Sequence, residues 1–225
     1  MDFAKPAIDL GLYTNQREPM LEFWQQRAGI EFDELLPAGR GIHQLRHAIG
    51  SSILKINHSR DPLDAAPPAG FCRLWVARTG ITAPTELTDP DGNALSLVAP
   101  GHNGIDQMQI DLQTPDIDAA ANFYGKVLGL TDAGRHRFQL GETLLQLIEH
   151  KAQPTEPVMR ATGYRYITVQ VFDVVGTHQR ILELGGREGS APRKLGDVAH
   201  ISFVRDPDGN WIEISQRKSI TGSLD

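Results

Sequence analysis

The chain has 225 residues, of which 40% are hydrophobic and 22% are charged, and its formal net charge is −6 at pH 7. This length accommodates two domains of about 100 residues each, and the composition is that of an ordinary folded protein rather than a disordered or fibrous one. The mild acidity and the scattered lysines and arginines argue against nucleic acid and against an anionic membrane surface as partners.

Cys72 is the only cysteine. It excludes an internal disulfide and any multi-cysteine metal site, and it fits a reducing compartment. The N-terminal residues "MDFAKPAIDLGLY" contain neither a basic segment followed by an apolar one nor a run of about 20 apolar residues. We therefore predict a cytoplasmic protein with no membrane partner.

The first predicted elements, a strand and a helix, occur twice along the chain. "AIDLGLYTNQREPMLEFWQQRAGI" aligns with "GIDQMQIDLQTPDIDAAANFYGKVLGL", with Ile8 matched to Ile105 and Phe23 matched to Phe123. In the second copy, Asp116 is a plausible N-cap and Gly129 ends the helical spacing of apolar residues. The sequence thus predicts a duplicated strand–helix unit.

The following elements are also duplicated, but the first copy is shorter. Strands beginning at Gly50 and Gly141 match at an offset of 91 residues, whereas the later "DPDGN" pentapeptides, residues 89–93 and 206–210, match at an offset of 117. The difference means that 26 residues are missing from the first copy. In the second copy this interval contains a helical pattern between Asp173 and Gly185, so we predict that the first copy lacks this helix.

The pentapeptide itself predicts a tight turn between antiparallel strands, because Asp, Pro and Gly favour reversal of the chain and Gly supplies a positive φ. The residue three positions after each turn differs: it is Ser96 in the first copy and Glu213 in the second. We interpret the turn as scaffold and the following strand as the place where the copies diverge.

The segments "IDQMQIDLQTPDIDAAANFYGKVLGL" and "ISFVRDPDGNWIEI", within paired βαβββ units, resemble the vicinal oxygen chelate superfamily of glyoxalase I, extradiol dioxygenases and bleomycin-binding proteins. The resemblance implies an α+β fold of tandem paired βαβββ modules that form curled mixed sheets. It predicts a degenerate module in residues 1–100 that lacks one helix. A complete module that carries the site is predicted in residues 101–225.

Alternation along the strands predicts which side chains face away from the helices. In "NWIEIS", Ile212 and Ile214 share one face, and Trp211 and Glu213 share the other. The same parity in the other strands collects a polar face with two aromatic residues: Gln107, Gln109, Gln146, Tyr166, Thr168, Gln170, Trp211 and Glu213. Such a face is either simply solvated, as in many antiparallel sheets, or a binding cup, as the resemblance implies.

The resemblance also implies a metal site. Its first ligand position falls on Gln107 and its last on Glu213, and two further positions fall on Gln146 and Tyr166, where other residue types are more usual. Oxygen donors of this kind suit a divalent metal, with Fe, Mn, Mg, Ni and Zn as candidates. The corresponding first-copy residues are assigned as Leu10, Lys55, Arg73 and Ser96, so no metal is expected there. Lys55 and Arg73 are then either surface charges or a basic spot for an anionic substrate group.

Three functions remain open. The leading hypothesis is a small-molecule enzyme with lyase, isomerase or epimerase chemistry on vicinal oxygens, assisted by a metal on Gln107 and Glu213. Glu213, Tyr166 and Gln146 would handle protons, while the remaining predicted residues contact substrate: Gln109, Thr168, Gln170, Trp211, Phe203 and His200. The alternatives are an extradiol-type ring-cleaving dioxygenase and a metal-free binding or sequestering protein. The expected partner is a small organic molecule, and the chain is expected to be a monomer or a homodimer.

Overall fold

The computed structural model describes residues 1–39, 41–151 and 156–224. Two helices, Arg17–Leu21 and Ile117–Asn122, continue directly into the π-helical turns Glu22–Arg27 and Phe123–Val127. The elements, in chain order, are β1 Phe3–Thr14, α1 Arg17–Leu21, β2 Glu31–Pro37, β3 Ile42–Ile49, β4 Ser52–Ser59, β5 Phe71–Ala77, β6 Thr85–Thr88, β7 Ala94–Val98, β8 Met108–Thr114, α2 Ile117–Asn122, β9 Thr131–Gly134, β10 Arg137–Leu140, β11 Thr143–Glu149, β12 Gly163–Val171, α3 Val174–Glu183, β13 Arg187–Leu195, β14 Ala199–Arg205, β15 Trp211–Arg217 and α4 Lys218–Thr221.

The strands form two mixed sheets, and each sheet combines strands from both halves of the chain. The eight-stranded sheet has the order β13-β14-β15-β12-β1-β4-β3-β2, and the seven-stranded sheet has the order β6-β7-β5-β8-β11-β10-β9. The halves meet where β1 pairs antiparallel with β12 and where β5 pairs antiparallel with β8. Both sheets therefore cross the boundary between residues 1–100 and 101–225, and the units that repeat in sequence are interleaved in space.

The shortened first copy lacks more than the predicted helix. Its second unit consists of the strands β5, β6 and β7, and residues 71–98, all of which are described, contain no helix. The matching unit in the second copy has α3 and four strands, from β12 to β15. The predicted loss of a helix is confirmed, and one strand has been lost with it.

One apolar cluster joins both sheets to the helices. It contains Leu10 of β1, Leu54 of β4, Ile167 of β12 and Ile214 of β15, together with Trp24 from the first helical segment. These strand residues alternate with the polar positions, so the apolar faces pack on the helices as predicted. The opposite, polar faces are left to form two separate cups.

The N-caps predicted from sequence hold the helices of the second half. Asp116 accepts a hydrogen bond from the backbone N–H of Ala119 at 2.9 Å, and Asp173 accepts one from Gly176 at 3.0 Å. Gly185, just beyond α3, has a φ of 96°, which a residue with a side chain rarely adopts.

Among the described residues, no helix is long and apolar enough to cross a membrane.

The two pentapeptide turns have a second role, because each one ties its own sheet to the other. In the first turn, Asn93 Oδ1 accepts the backbone N–H of Tyr164, at the start of β12, at 3.1 Å. In the second turn, Asn210 Oδ1 accepts the backbone N–H of Gly70, just before β5, at 2.8 Å. The turns are thus paired clamps between the sheets.

A buried carboxylate organises each clamp. Asp206 accepts hydrogen bonds from the amide side chain of Asn210 at 2.9 Å and from the hydroxyl of Tyr124 at 2.9 Å, and Asp89 accepts the side chain of Asn93 at 2.8 Å. Burial disfavours the charged form more than these donors favour it, and it raises the pKa of both Asp89 and Asp206 to about 6. The native clamps therefore bind protons more tightly than the unfolded chain does.

We expect Asp206 to make stability pH-dependent with a defined sign. A carboxyl whose pKa rises from 3.8 to about 6 on folding contributes roughly 2–3 kcal/mol to the free energy of unfolding. This contribution is fully present below about pH 4 and is lost as the pH rises through about 6. Urea unfolding of wild type and Asp206→Asn between about pH 4 and 7 measures this contribution as a difference. The difference is needed because burial lowers the pKa of His47 to about 4, which makes stability fall as the pH falls. Parallel curves for the two proteins would contradict the assignment.

Candidate functional site

Three polar residues lie side by side across the central strands of the eight-stranded sheet. Asp9 of β1 is opposite Thr168 of β12, and Thr168 is opposite Glu213 of β15. Because directly paired residues share a face, all three side chains lie on the concave face, away from the helices. They form a short polar row at the middle of the cup.

Lys55 of β4 reaches into this row. Its ammonium donates a hydrogen bond of 2.7 Å to Thr168 Oγ1 and one of 2.7 Å to Glu213 Oε2, and the Thr168 hydroxyl donates one of 2.6 Å to the same Glu213 oxygen. Asp9 Oδ2 lies 4.0 Å from the ammonium. We call Asp9, Lys55, Thr168 and Glu213 the central cluster.

The central cluster is largely shielded from solvent. The side chain of Lys55 is 4% exposed and that of Glu213 is 12% exposed. Burial lowers the pKa of the Lys55 ammonium, while the carboxylates of Glu213 and Asp9 oppose that shift. Both hydrogen bonds to Glu213 reach Oε2, so Oε1 makes no hydrogen bond to a described residue and is available to a ligand.

Gly11 makes room for the groups that cross β1. It lies opposite both Lys55 and Tyr166, and a Cβ at this position would be 2.1 Å from the Tyr166 ring. The Tyr166 hydroxyl accepts a hydrogen bond of 3.0 Å from Asn57, and burial raises the pKa of Tyr166 well above its ordinary value. Tyr166 is therefore held as a neutral phenol in the cup, which disfavours the phenolate needed of a metal ligand.

Aromatic rings form a wall beside the central cluster. Phe203 lies opposite Glu213 on β14, and its ring meets those of Tyr166 and Trp211 edge to face, with centroids 6.0 Å apart in both pairs. Arg205 lies over the Trp211 ring at 3.8 Å. Such a wall offers a flat apolar surface to the body of a small organic ligand.

A cavity of about 430 Å³ opens over the same face. Its lining includes Ile53, which precedes Lys55 by two residues on β4, and Arg46 of β3, which pairs with Lys55. The cations and carboxylates around it are paired, as in the contact of 3.0 Å between Arg46 and Glu34. Its lining residues are Ala4, Lys5, Pro6, Asp33, Glu34, Arg46, Ile53, Arg217, Ser219 and Ile220.

The structure separates the predicted site residues into two groups. Tyr166, Thr168, Gln170, Phe203, Trp211 and Glu213 lie in strands of the eight-stranded sheet, whereas Gln109 and Gln146 lie in the seven-stranded sheet. Gln107 precedes the first residue of β8 and bonds to Ser51 and Glu142 instead of Glu213. The predicted metal pair, Gln107 and Glu213, is therefore not brought together, because the strands that carry these residues belong to different cups.

The cup of the seven-stranded sheet is filled by its own side chains. Gln109 and the indole of Trp75 each donate to Asp111 at 2.7 Å, while Gln146 accepts from Arg137 at 3.0 Å. A small apolar cluster of Val98, Ile105 and Leu144, with Trp75 and Ala77 against it, lies on the same face of this sheet. Gln146 therefore has a structural partner and lies in a different sheet from Glu213, so the structure does not place the two in one cup.

Two other predicted substrate contacts, His200 and Gln170, lie on opposite faces of the eight-stranded sheet. His200 pairs with Gln216, and both are an odd number of residues from the concave positions Phe203 and Glu213, so the His200 side chain lies on the opposite face of the sheet. Gln170 does share the concave face with Thr168, and it is 1% exposed. Neither its amide oxygen nor its amide nitrogen has a hydrogen-bond partner among the described residues.

Sequence reasoning missed Asp9 because the alignment of the first strands was shifted. Leu10 lies opposite Leu54, and Ile110 lies opposite Leu145, so the offset of 100 residues found in the helices already applies to the first strands. Asp9 then corresponds to Gln109, and the assignment of Leu10 to the position of Gln107 is wrong. The available signal was Asp9 itself, a charged residue between the apolar residues of "AIDLGL".

A divalent metal does not fit the donors as they are arranged. Among the described residues, no group of three or more His, Cys, Asp and Glu side chains is placed to hold a metal ion. In the central cluster, the ammonium of Lys55 lies where the oxygens of Thr168 and Glu213 converge, and an ammonium has no lone pair to offer a metal. The residues present thus disagree with the metal site that the sequence resemblance implied.

Comparison with known proteins identifies similar sequences for the second half of the chain. The sequence model of the Glyoxalase/Bleomycin resistance protein/Dioxygenase superfamily matches residues 104–214. A probable lactoylglutathione lyase from Synechocystis sp. is 27% identical over 122 residues, which are 48% of this chain and 92% of that protein. The lactoylglutathione lyase of Neisseria meningitidis serogroup A is 27% identical over 124 residues, covering 48% of this chain and 88% of that enzyme.

Solved structures resemble the whole chain. Glyoxalase I from Zea mays aligns with a TM-score of 0.74 and 15% identity, covering 97% of each chain. A putative dioxygenase from Bacillus subtilis aligns with a TM-score of 0.66 and 13% identity, covering 96% of this chain and 85% of that one. At these identities the likeness shows the fold alone, and it confirms the predicted glyoxalase-like fold for both halves.

Proposed function

We propose that this chain, whose residues 104–214 belong to the Glyoxalase/Bleomycin resistance protein/Dioxygenase superfamily, is a small-molecule enzyme that moves a proton at a carbon next to a carbonyl group. The observation that carries the proposal is the central cluster, in which one carboxylate is oriented by a hydroxyl and an ammonium at 2.6 and 2.7 Å. The relatives named lactoylglutathione lyase support a lyase or isomerase of the glyoxalase-like type.

Glu213 is the proposed base. Its Oε1 takes a proton from the carbon next to the carbonyl; the C–H electron pair becomes a C=C bond, and the carbonyl π pair moves onto oxygen. Lys55 stabilises the resulting oxyanion with its positive charge and an N–H donor. Thr168 is a positioning residue, since its hydroxyl fixes Glu213 Oε2 at 2.6 Å. No step requires an external oxidant or reductant.

The fate of the proton defines the reaction. If the planar intermediate turns over before Glu213 returns the proton to the same carbon, the product is an epimer. If the proton goes to the neighbouring oxygen-bearing carbon, and the two oxygens exchange a proton, the product is an isomer. Both outcomes regenerate the Glu213 carboxylate, and the isomer requires a substrate with vicinal oxygens, as the sequence hypothesis proposed.

The surroundings of the central cluster fit a small organic substrate. The aromatic wall of Phe203 and Trp211 accommodates a flat or apolar body beside the central cluster. The cavity of about 430 Å³ is lined by neighbouring residues and by no member of the wall or of the central cluster, so the proposal does not depend on it. Carbonyl and hydroxyl oxygens of the substrate would then face Lys55 and Glu213. This arrangement gives the predicted substrate contacts Trp211 and Phe203 a role in binding and Thr168 a role in positioning.

A metal-free binding protein is the second candidate, and the aromatic wall is the feature that favours it. Stacking on Trp211 and Phe203 would retain a ligand even if no proton were moved. The extradiol-type dioxygenase has no comparable support, because the described residues do not gather a metal-ligand set around Glu213. The second candidate differs from the first in predicting binding without exchange.

Solvent deuterium exchange tests the proposal without knowledge of the natural substrate. The protein is incubated in D₂O with a panel of α-hydroxy ketones, α-hydroxy aldehydes and S-lactoylglutathione, and loss of the proton next to the carbonyl is followed by ¹H NMR. We expect catalysed exchange for at least one compound, at a rate well above that with heat-denatured protein. Quenching of tryptophan fluorescence without exchange would support the binding protein instead.

A further inference from the structure

We infer that the Lys55 ammonium replaces a divalent cation in the central cluster, so that this site operates without a metal. The inference rests on the proposed function for its chemistry, but its evidence is structural. It identifies the electrophilic group of the site as part of the chain itself. It also withdraws the predicted role of Glu213 as a metal ligand and keeps its predicted role as a base, which is now paired with a lysine.

The oxygens around Lys55 are those that a cation would need. Thr168 Oγ1 and Glu213 Oε2 are each 2.7 Å from the ammonium nitrogen, and Asp9 Oδ2 is 4.0 Å from it. Asp9 Oδ1 is paired with Lys5 at 2.6 Å and accepts the backbone N–H of Ile53 at 2.9 Å. Asp9 Oδ2 is buried and has no hydrogen-bond partner among the described residues, and the Lys55 ammonium is the cation on that side of the carboxylate. Two carboxylates and a hydroxyl thus surround one positive charge.

The backbone positions this charge specifically. Lys55 lies between the buried residues Leu54 and Ile56 on β4, which directs its side chain to the concave face. Gly11 lies opposite Lys55 on β1 and has no side chain to obstruct the path to β12 and β15. The ammonium is also 5.7 Å from the centroid of the Tyr166 ring, an arrangement that favours a cation.

The other cup provides an internal comparison. Strand pairing and the repeat offsets place Gln109, Gln146, Trp75 and Ser96 at the positions that correspond to Asp9, Lys55, Thr168 and Glu213. All four of these residues are uncharged at neutral pH. The pairing of an ammonium with two carboxylates is therefore a property of one cup and is not imposed by the fold.

A lysine in this position has chemical consequences. It supplies one positive charge and hydrogen-bond donors, whereas a divalent metal supplies two charges and open coordination positions. The oxyanion is then stabilised less strongly than by a metal, so the substrate must have a proton that is already acidic, as next to an aldehyde or ketone. The site also needs no metal to be assembled.

Metal content and metal affinity test the inference separately from activity. Wild-type protein, purified without a metal-affinity step, is analysed by mass spectrometry for metals and by thermal shift with Mg²⁺, Mn²⁺, Fe²⁺, Ni²⁺ and Zn²⁺ chlorides. We expect substoichiometric metal and no Glu213-dependent rise in melting temperature. Stoichiometric metal that is lost in Glu213→Gln would overturn the inference.

The variant Lys55→Glu tests whether metal affinity appears when a carboxylate replaces the ammonium. It places three carboxylates around the vacated position, and we expect Mn²⁺ or Zn²⁺ to raise its melting temperature, because a ligand bound only by the folded state stabilises it by about 2.7 kcal/mol at 100 times its Kd. Gln146→Glu, at the position in the other cup that corresponds to Lys55, is the matched control and should gain no such response. If Lys55→Glu folds with metal absent and shows no metal-dependent shift, the inference is wrong.

Lys55→Gln covers the case in which Lys55→Glu does not fold. It retains Asp9 and Glu213 without a third like charge, and it should also gain metal affinity, more weakly. The two ideas fail differently: absence of deuterium exchange both with and without added metal, in a wild-type protein that binds no metal, contradicts the proposed function alone. Exchange that requires added metal and stops with a chelator contradicts the Lys55 inference alone.

Discussion

The Glu213→Gln variant is expected to catalyse solvent deuterium exchange about 10²–10⁴-fold more slowly than the wild type, because the amide cannot accept the substrate proton. Substrate binding should change much less than turnover, since Gln has nearly the same shape as Glu and the aromatic wall is untouched. The measurement is the exchange rate by ¹H NMR as a function of substrate concentration. This dependence gives the maximal exchange rate and the substrate concentration at half of that rate as two separate quantities.

Glu86→Gln is the matched control for this variant. Glu86 lies in the other cup, where its carboxylate accepts a hydrogen bond of 2.9 Å from Ser96 and is paired with Arg73. It therefore shares with Glu213 a hydroxyl donor and a cationic partner, but it lacks the aromatic wall. Retained exchange in Glu213→Gln, or equal loss in both variants, would remove Glu213 from the role of base.

The Lys55→Met variant is expected to lower the free energy of unfolding by about 3–5 kcal/mol at neutral pH. Methionine has a similar length but leaves the largely buried Glu213 carboxylate without its cation, and an unpaired buried charge is costly; Asp9 keeps its ion pair with Lys5. Urea unfolding followed by circular dichroism measures the change. The effect should be larger than that of Arg73→Met, because the Arg73 side chain is 32% exposed and its Glu86 partner is 55% exposed.

A double variant distinguishes loss of the ion pair from general damage to the core. Lys55→Met combined with Glu213→Gln removes both charges, so we expect it to be more stable than Lys55→Met alone. The interaction free energy from the four proteins then measures the coupling between Lys55 and Glu213. Additive effects of the two substitutions would mean that the two side chains are not coupled in solution.

Much of the fold was predictable because it rests on local patterns. Alternation of apolar residues placed Ile167 and Ile214 against the helices, and the caps Asp116 and Asp173 marked where helices begin. The repeated pentapeptide also placed Ser96 and Glu213 at equivalent positions. These features depend on residues that are close in sequence, and the periods of strand and helix are visible there.

The site was less predictable because it depends on which strands become neighbours. Parity placed Gln109 and Glu213 on polar faces, but it could not show that β12 pairs with β1 rather than with a strand of its own half. That pairing brings Lys55, from the copy interpreted as degenerate, to Glu213. Lysine side chains are usually exposed to solvent, and only the three-dimensional contact of Lys55 with two carboxylates shows why its side chain is buried.

The measurement that tests the central claim most directly is a crystal structure of the protein with benzohydroxamate, whose adjacent oxygens imitate an enediolate and whose ring matches the aromatic wall. We predict that the ring lies against Phe203 and Trp211, with the hydroxamate oxygens within about 3 Å of Lys55 Nζ and Glu213 Oε1 and with no metal between them. Binding in the cup of the seven-stranded sheet, or a metal ion on Glu213 with Lys55 displaced, would contradict the account.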